Sequence, residues 1–188
     1  MIKELVIKNR SIRRYDNTKK LTPELLCELV DTARFCASAG NRQRIRYAIV
    51  TECENLRAVR QTLGFAAYLK GWGGPNESEN PTGYIVMLSE DEDFNLYVDI
   101  GIAASSMLLL ATEKGLGGCI FRSFNKERIA EILGTDKYVP RLVVSLGVPG
   151  ERVELDSVTD GDIRYYRRDD DVHVVPKLSL DEILITKK

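Results

Sequence analysis

The stretch 97–124, YVDIGIAASSMLLLATEKGLGGCIFRSF, constrains this fold more than any other. Over 97–111 apolar residues fall on every helical face, interrupted only by Asp99 and the pair Ser105-Ser106. A helix that is apolar all round is a buried helix. Crossing a bilayer takes roughly twenty consecutive apolar residues, so this shorter, serine-broken run reads as core rather than as a membrane span. Gly101, Ala103, Ala104, Ser105 and Ser106 are small, which lets another backbone come close on that side. Glu113 and Lys114 mark the solvent end, and Gly115 supplies the left-handed residue with which helices often stop. The chain then turns into CIFRSF, a short strand-like segment.

Around this centre the pattern alternates between helices and strands. A short helix is expected over 3–9. Thr22 and Pro23 are an N-cap and first helical residue. Leu25, Leu26, Leu29, Val30, Ala33 and Ala37 then recur at helical spacing. The polar loop AGNRQRI leads to a strand over 46–51 and a helix over 54–63. The mixture GFAAYLKGWGGPNESENP reads either as a lid over a pocket or as an irregular surface connection. GYIVMLS is a buried strand, Asn125 caps a helix running to Leu133, and RLVVSLGVPG is a further strand ending in a turn. These elements predict one α+β domain over 1–188, with a mixed, mainly antiparallel sheet flanked by helices. Residues 64–82 are the lid candidate and 151–188 a charged tail. That tail contains VHVVPKLSLDEILI, with Ser179 and Glu182 at capping-box spacing. Apolar yet far from the core elements, it is expected to pack on a partner chain.

Composition excludes several classes. With 27 basic and 28 acidic residues the formal net charge is −1, which argues against a dedicated nucleic-acid or membrane-surface protein. The charged opening MIKELVIKNR is not a signal peptide. Cys27, Cys36, Cys53 and Cys119 have no C-x-x-C spacing, so reduced thiols and a cytoplasmic protein are expected. His173 is the only histidine, and in the acidic run DDDVHVV it reads as solvated or structural. A histidine-based catalytic triad or a multi-histidine metal site is therefore not expected, and a cofactor is expected to carry any chemistry.

Three segments can hold such a cofactor. In Asn9-Arg10-Ser11-Ile12-Arg13-Arg14-Tyr15, clustered guanidinium groups and a hydroxyl suit a phosphate, or else form a solvated basic face at a helix end. Ser38-Ala39-Gly40-Asn41-Arg42-Gln43 offers amide groups that could read a heterocycle edge, or is an ordinary turn. Gly115-Leu116-Gly117-Gly118 follows a helix and has Ile120 where a dinucleotide fingerprint needs glycine, so it caps and turns. Any ligand role there falls to the backbone after it.

In order and spacing the three segments resemble the nitroreductase family of FMN-dependent flavoenzymes, over about residues 8–147 and more loosely into the tail. RSIRRYD is similar to that family's R-R-S-x-R-x-[FY] box, and SAGNRQ to its S-x-x-N-x-Q box. The central helix with GLGGCIFRSF is similar to its D-x-G-x-A…GLG-[TG]-C segment. The resemblance implies an α+β sandwich and a homodimer with FMN at the interface. It also implies ping-pong transfer of electrons from NADH or NADPH to a small flat acceptor such as a nitroaromatic or quinone. An alternative is a flavin-binding module with little turnover. By position, Arg10, Ser11 and Arg13 would hold the phosphate and ribityl end. Ser38, Ala39 and Asn41, with Gln43 in the same loop, would approach the flavin from the partner subunit. Phe121, Arg122 and Ser123 would run beside the ring system, the Arg122 N–H near N5, and Lys177 would reach the phosphate. No side chain is assigned as catalytic, and no metal is implied. Arg42, Arg44 and Lys70 are open candidates for the positive group facing the reduced ring. Asn9, Arg44 and Arg122-Ser123 depart from the family pattern.

Overall fold

The structure, a computed structural model, describes residues 1–187. The chain sorts into two compact units. The larger comprises Met1–Gly64 and Pro75–Gly150. It contains α1 (Ile2–Lys8), α2 (Pro23–Ala33), β1 (Arg46–Val50), α3 (Cys53–Thr62) and β2 (Gly83–Ser89). These are followed by α4 (Phe94–Glu113), β3 (Gly117–Phe121), α5 (Lys126–Leu133) and β4 (Val139–Gly147).

Its strands form a purely antiparallel four-stranded sheet in the order β1-β2-β4-β3. The central strands read GYIVMLS and VPRLVVSLG, near-continuous apolar runs, because both their faces are covered. Side chains alternate between the faces. Ile85 lies opposite Ile49 and Val144, and Met87 opposite Tyr47 and Leu142. This face joins Leu26, Leu29 and Ala33 of α2 and the buried residues of α4 in one core. The other face carries Tyr84, Val86, Val143 and Phe121; α5 packs on β4 there and α3 on α5.

α4 begins three residues before the sequence pattern suggests, because Asp93 caps it: Oδ1 accepts the Leu96 N–H at 2.7 Å. It ends as expected, with Gly115 at φ +76° and the Leu116 N–H returning to the Ala111 carbonyl at 2.8 Å. At 20 residues and a mean hydropathy of 1.6 it has the length and composition to cross a membrane, contrary to the sequence reading. Here its side chains from Leu96 to Ala111 build the core. The expectation of burial on all sides is also corrected. Val98, Gly101, Ile102 and Ser105 form an exposed strip along one side.

The glycines after α4 are close-approach residues. A Cβ on Gly117 would lie 2.5 Å from Ile12 Cγ1, and one on Gly118 2.5 Å from Leu108 Cδ2 and from the Ser145 carbonyl. α2 stops at Ala33 instead of running on to Ala37. The Phe35 N–H bonds Thr32 O at 3.3 Å and the Cys36 N–H bonds Ala33 O at 3.1 Å, tightening the last turn.

The smaller unit comprises Phe65–Gly74 and the chain from Glu151 on. It holds strands that the charged tail had concealed: β5 (Val153–Ser157), β6 (Tyr166–Arg167) and β7 (His173–Lys177). β7 pairs parallel with β5 and antiparallel with β6, so the mixed pairing sits here. The predicted capping box is present at α6 (Leu180–Ile183), with the Ser179 N–H 2.7 Å from Glu182 Oε2. His173 is 1% exposed, its ring 5.2 Å from that of Tyr165, which in turn lies 5.0 Å from Tyr68. It is a core residue of this unit, not a solvated one. The Arg167 guanidinium lies 4.9 Å from the Trp72 ring, a second tie between the 65–74 segment and the tail.

Candidate functional site

After α1 the chain runs extended across the start of β3. The Ile12 N–H donates to Gly118 O at 3.0 Å, and Ser11 pairs with Gly118 as a parallel bridge. Ile12 and Tyr15 anchor it inward: the Tyr15 hydroxyl donates to Ile12 O at 2.5 Å and lies 2.6 Å from Ser145 Oγ. Ser11 is left exposed, with Arg10 and Arg13 half-buried. Arg10 donates from Nη2 to Val6 O at 2.6 Å, while its Nε is buried with no partner. Burial lowers its pKa below the ordinary arginine value, so an anion there would restore what desolvation takes away. Arg13 Nη1 is 3.4 Å from Ser11 O, and Arg14 Nε 3.7 Å from Glu79. The donor set fits a phosphate.

The SAGNRQ loop is a tight turn with left-handed residues at Gly40, Asn41 and Gln43, at φ 58°, 53° and 49°. Asparagine tolerates this region and glutamine does so less readily. The loop is held by the Ala39 N–H on Asp99 Oδ1 at 2.9 Å and the Gln43 N–H on Ser38 Oγ at 3.2 Å. Gln43 Nε2 also donates to Asn41 Oδ1 at 3.1 Å. Arg44 is not available to a flavin: Nη1 and Nη2 grip the Asp93 carboxylate at 2.9 and 2.8 Å. The Asp93 carboxyl is held down at about 2, first by Arg44 and then by the Leu96 N–H. Arg42 remains exposed, 3.9 Å from Asp93. Lys70 belongs to the smaller unit.

β3 ends at Phe121, earlier than the expected CIFRSF strand. The Gly64 N–H takes Ser123 O at 2.8 Å, Leu63 bridges Phe124, and Asn125 caps α5. Phe121 is buried, whereas Arg122 and Ser123 are exposed. The Arg122 guanidinium lies 4.6 Å from the centre of the Tyr97 ring. The Tyr97 hydroxyl donates to Glu92, which also receives Arg141; the Glu92 contact raises the Tyr97 pKa. Lys177 closes β7, exposed, in the smaller unit.

The fold therefore joins the first and third segments at Gly118 and places the second elsewhere. Gly118 rests on Leu108 of α4, whereas the SAGNRQ loop hangs on Asp99. Those anchors are nine residues apart, on the order of 14 Å along the helix and half a turn around it. Sequence reasoning did not assign roles to Asp93, Asp99 and Tyr97. The signal for Asp99 was an acid standing alone in an apolar run.

A model of the Nitroreductase family matches residues 6–71 and 79–148. Among curated proteins, the "Putative NAD(P)H nitroreductase YodC" of Bacillus subtilis (strain 168) is 25% identical over 175 residues, covering 76% of this chain and 87% of that protein. Among solved structures, the nitroreductase family protein of Streptococcus pneumoniae TIGR4 aligns over 100% of both chains, with a TM-score of 0.74 at 16% identity. An FMN-dependent nitroreductase of Clostridium difficile R20291 aligns with a TM-score of 0.64 at 25% identity, over 84% of this chain and 92% of that one. With its sheet order, its three segments and this match over most of its length, the chain belongs to the nitroreductase family.

Proposed function

We propose that this protein is an FMN-dependent oxidoreductase, working as a homodimer, that uses NADH or NADPH to reduce a small flat acceptor such as a nitroaromatic or a quinone. The observation that carries the reading is the bridge of Ser11 to Gly118, with the Ile12 N–H on Gly118 O, which lays the segment carrying Arg10, Ser11 and Arg13 along the start of β3. Arg10 and Arg13 would take the phosphate through charge-assisted bonds, and Ser11 the ribityl end. Phe121, Arg122 and Ser123 would border the ring system, with the Arg122 side chain drawn aside by Tyr97. Lys177 is the further candidate for the phosphate. When bound, FMN supplies the acceptance of hydride from a reduced nicotinamide and the delivery of electrons to the acceptor. The residues here would position and stabilise the bound group, and one site used in turn by the two substrates would give ping-pong kinetics.

The separation of the segments supports the homodimer. Ser38, Ala39, Asn41 and Gln43 lie on the far side of α4 from the Gly118 junction, so a flavin touching all three segments needs the loop of a second chain. The exposed Val98–Ile102 side of α4 and exposed Ile2, Val6 and Ile7 of α1 offer an apolar surface for that chain. α6 and the chain after it, with exposed Leu180 and Ile183, are a further candidate. The test is the purified protein's visible spectrum, followed by anaerobic mixing with NADH and with NADPH. A flavin band at roughly 450 nm that bleaches supports the oxidoreductase. A band that persists makes the protein a flavin-binding module, and a colourless protein that takes up no FMN refutes the reading.

A further inference from the structure

The connection between β2 and α4 reads Glu90-Asp91-Glu92-Asp93, and each of its carboxylates is already engaged. Lys137 Nζ lies 3.0 Å from Glu90, and Arg44 holds Asp91 at 3.4 Å and Asp93 at 2.8 Å. Glu92 spends both oxygens: Oε1 accepts from the Tyr97 hydroxyl and Oε2 from Arg141 Nη1. Arg141 stands on β4 with its side chain 6% exposed, and its Nη2 also donates to Asp91 O at 3.2 Å. A chain of contacts runs from the sheet through Arg141 and Glu92 to Tyr97, and it fixes the Tyr97 ring.

On that ring rests the Arg122 guanidinium, 4.6 Å from its centre. A contact with the ring face occupies none of the N–H donors. Arg122 is exposed, and among the described residues no hydrogen bond or ion pair holds it. Lys126, at the start of α5, is likewise without an ion pair. The Glu92 carboxyl is held below its ordinary range first by the Tyr97 hydroxyl and then by Arg141, Lys126 and Arg122. Three cations therefore act on one carboxylate whose oxygens are both engaged. Of the three, Arg122 presents an open fork of donors already placed against an aromatic ring, a form suited to a planar carboxylate.

We propose that Arg122 determines specificity by taking a carboxylate on the acceptor, so that a flat aromatic acid is preferred to a neutral molecule of the same shape. The inference rests on the flavin reading, which sets Arg122 beside the ring system. Tyr97 is then a positioning residue. It holds the guanidinium in place before the acceptor arrives, so less side-chain freedom is lost on binding.

The probes are 4-nitrobenzoate and 4-nitrobenzamide, alike in shape and different in charge. Calorimetry on the purified, oxidised protein gives their dissociation constants, with flavin content read in parallel. Steady-state rates with NADH and with NADPH give kcat/KM for each. At low ionic strength the acid should bind at least about threefold more tightly, as fits a bidentate pair open to solvent, and should lead in kcat/KM by a similar factor. Arg122→Gln should erase the preference, and Lys126→Gln should keep it. Tyr97→Leu takes away the ring face but not the arginine, and should shrink the preference. Equal binding of the two probes by a flavin-loaded parent, or binding of neither, overturns the proposal and leaves the flavin reading standing. A preference that survives in Arg122→Gln, or is lost in Lys126→Gln, overturns it as well. A Tyr97→Leu preference equal to the parent's removes the positioning role. A colourless protein that takes up no FMN ends the flavin reading and this inference with it.

Discussion

Gly101→Ala separates a lone chain from a dimer by the sign of its effect. Gly101 sits in the interior of α4 on the exposed strip, and a Cβ there would meet nothing within 4 Å. In an isolated chain alanine is therefore free of steric cost, and it gains about 0.8–1 kcal/mol of helix propensity. For a chain of this size that is worth about 2–4 °C in thermal midpoint. If a second copy of α4 lies against the strip, the added methyl enters a packed interface, at about 1–3 kcal/mol. In a two-fold dimer the same patch is used by both chains, so the cost falls twice. Even at the low end, about 2 kcal/mol, the dimer dissociation constant rises roughly thirtyfold. Sedimentation equilibrium measures that constant, and a melting curve taken alongside measures fold stability. The expected result is a weakened dimer with FMN lost at low protein concentration. A variant that melts higher and dimerises as before would refute an interface along Val98, Gly101 and Ile102.

Arg13→Ala should weaken FMN binding about tenfold or more, by loss of a charge-assisted contact, and Arg14→Ala, beside Glu79, should weaken it less; equal losses by equilibrium dialysis would put the segment out of register. Arg122→Gly should leave FMN content unchanged, because the guanidinium rests on Tyr97. It should cost about 1–2 kcal/mol of stability, from the lost cation–π contact and the looser backbone; FMN loss from a folded variant would show that the side chain holds the cofactor. The Asp93 carboxyl is depressed in the folded chain from its ordinary 3.8 to about 2. Its contribution is thus complete above about pH 4 and fades as pH falls toward 2. Arg44→Met removes the main cause, so its melting temperature should lie below the parent's at pH 6 and converge with it near pH 2; a constant gap would exclude this linkage.

What the sequence disclosed follows from range. The cap of α2, the cap and length of α5, the Gly115 stop and the Ser179–Glu182 box are contacts between residues no more than five apart, and each was readable from residue types. The apolar runs of β2 and β4 likewise announce strands covered on both faces. What stayed hidden depends on partners far along the chain. β5 and β7 are short, and become strands by pairing with each other across the sharp tail turns. Arg44 looked open to a flavin because nothing local shows that Asp93, 49 residues on, will hold it. The residues of the three segments were legible as chemistry. Their division into a pair at Gly118 and a loop at Asp99 was not, since it rests on how α4 is threaded between them.

α4 also explains why its own sequence misled. Its inward residues satisfy α2 and the sheet, as the core from Leu96 to Ala111 shows. A helix serving only that core would carry polar residues on its outer side. Instead the outer strip is Val98, Gly101, Ile102 and Ser105, apolar or small throughout. Such a strip gains nothing from solvent, and in a lone chain it is a liability for association. Facing a second copy of itself, the same strip is an interface. A helix with one face for its own core and one for a partner reads as apolar all round, and by length and composition it passes for a membrane span. The one charge buried within that run, Asp99, is then the informative exception. It lies on neither the exposed strip nor the seam at Leu108, but where the SAGNRQ loop needs an anchor.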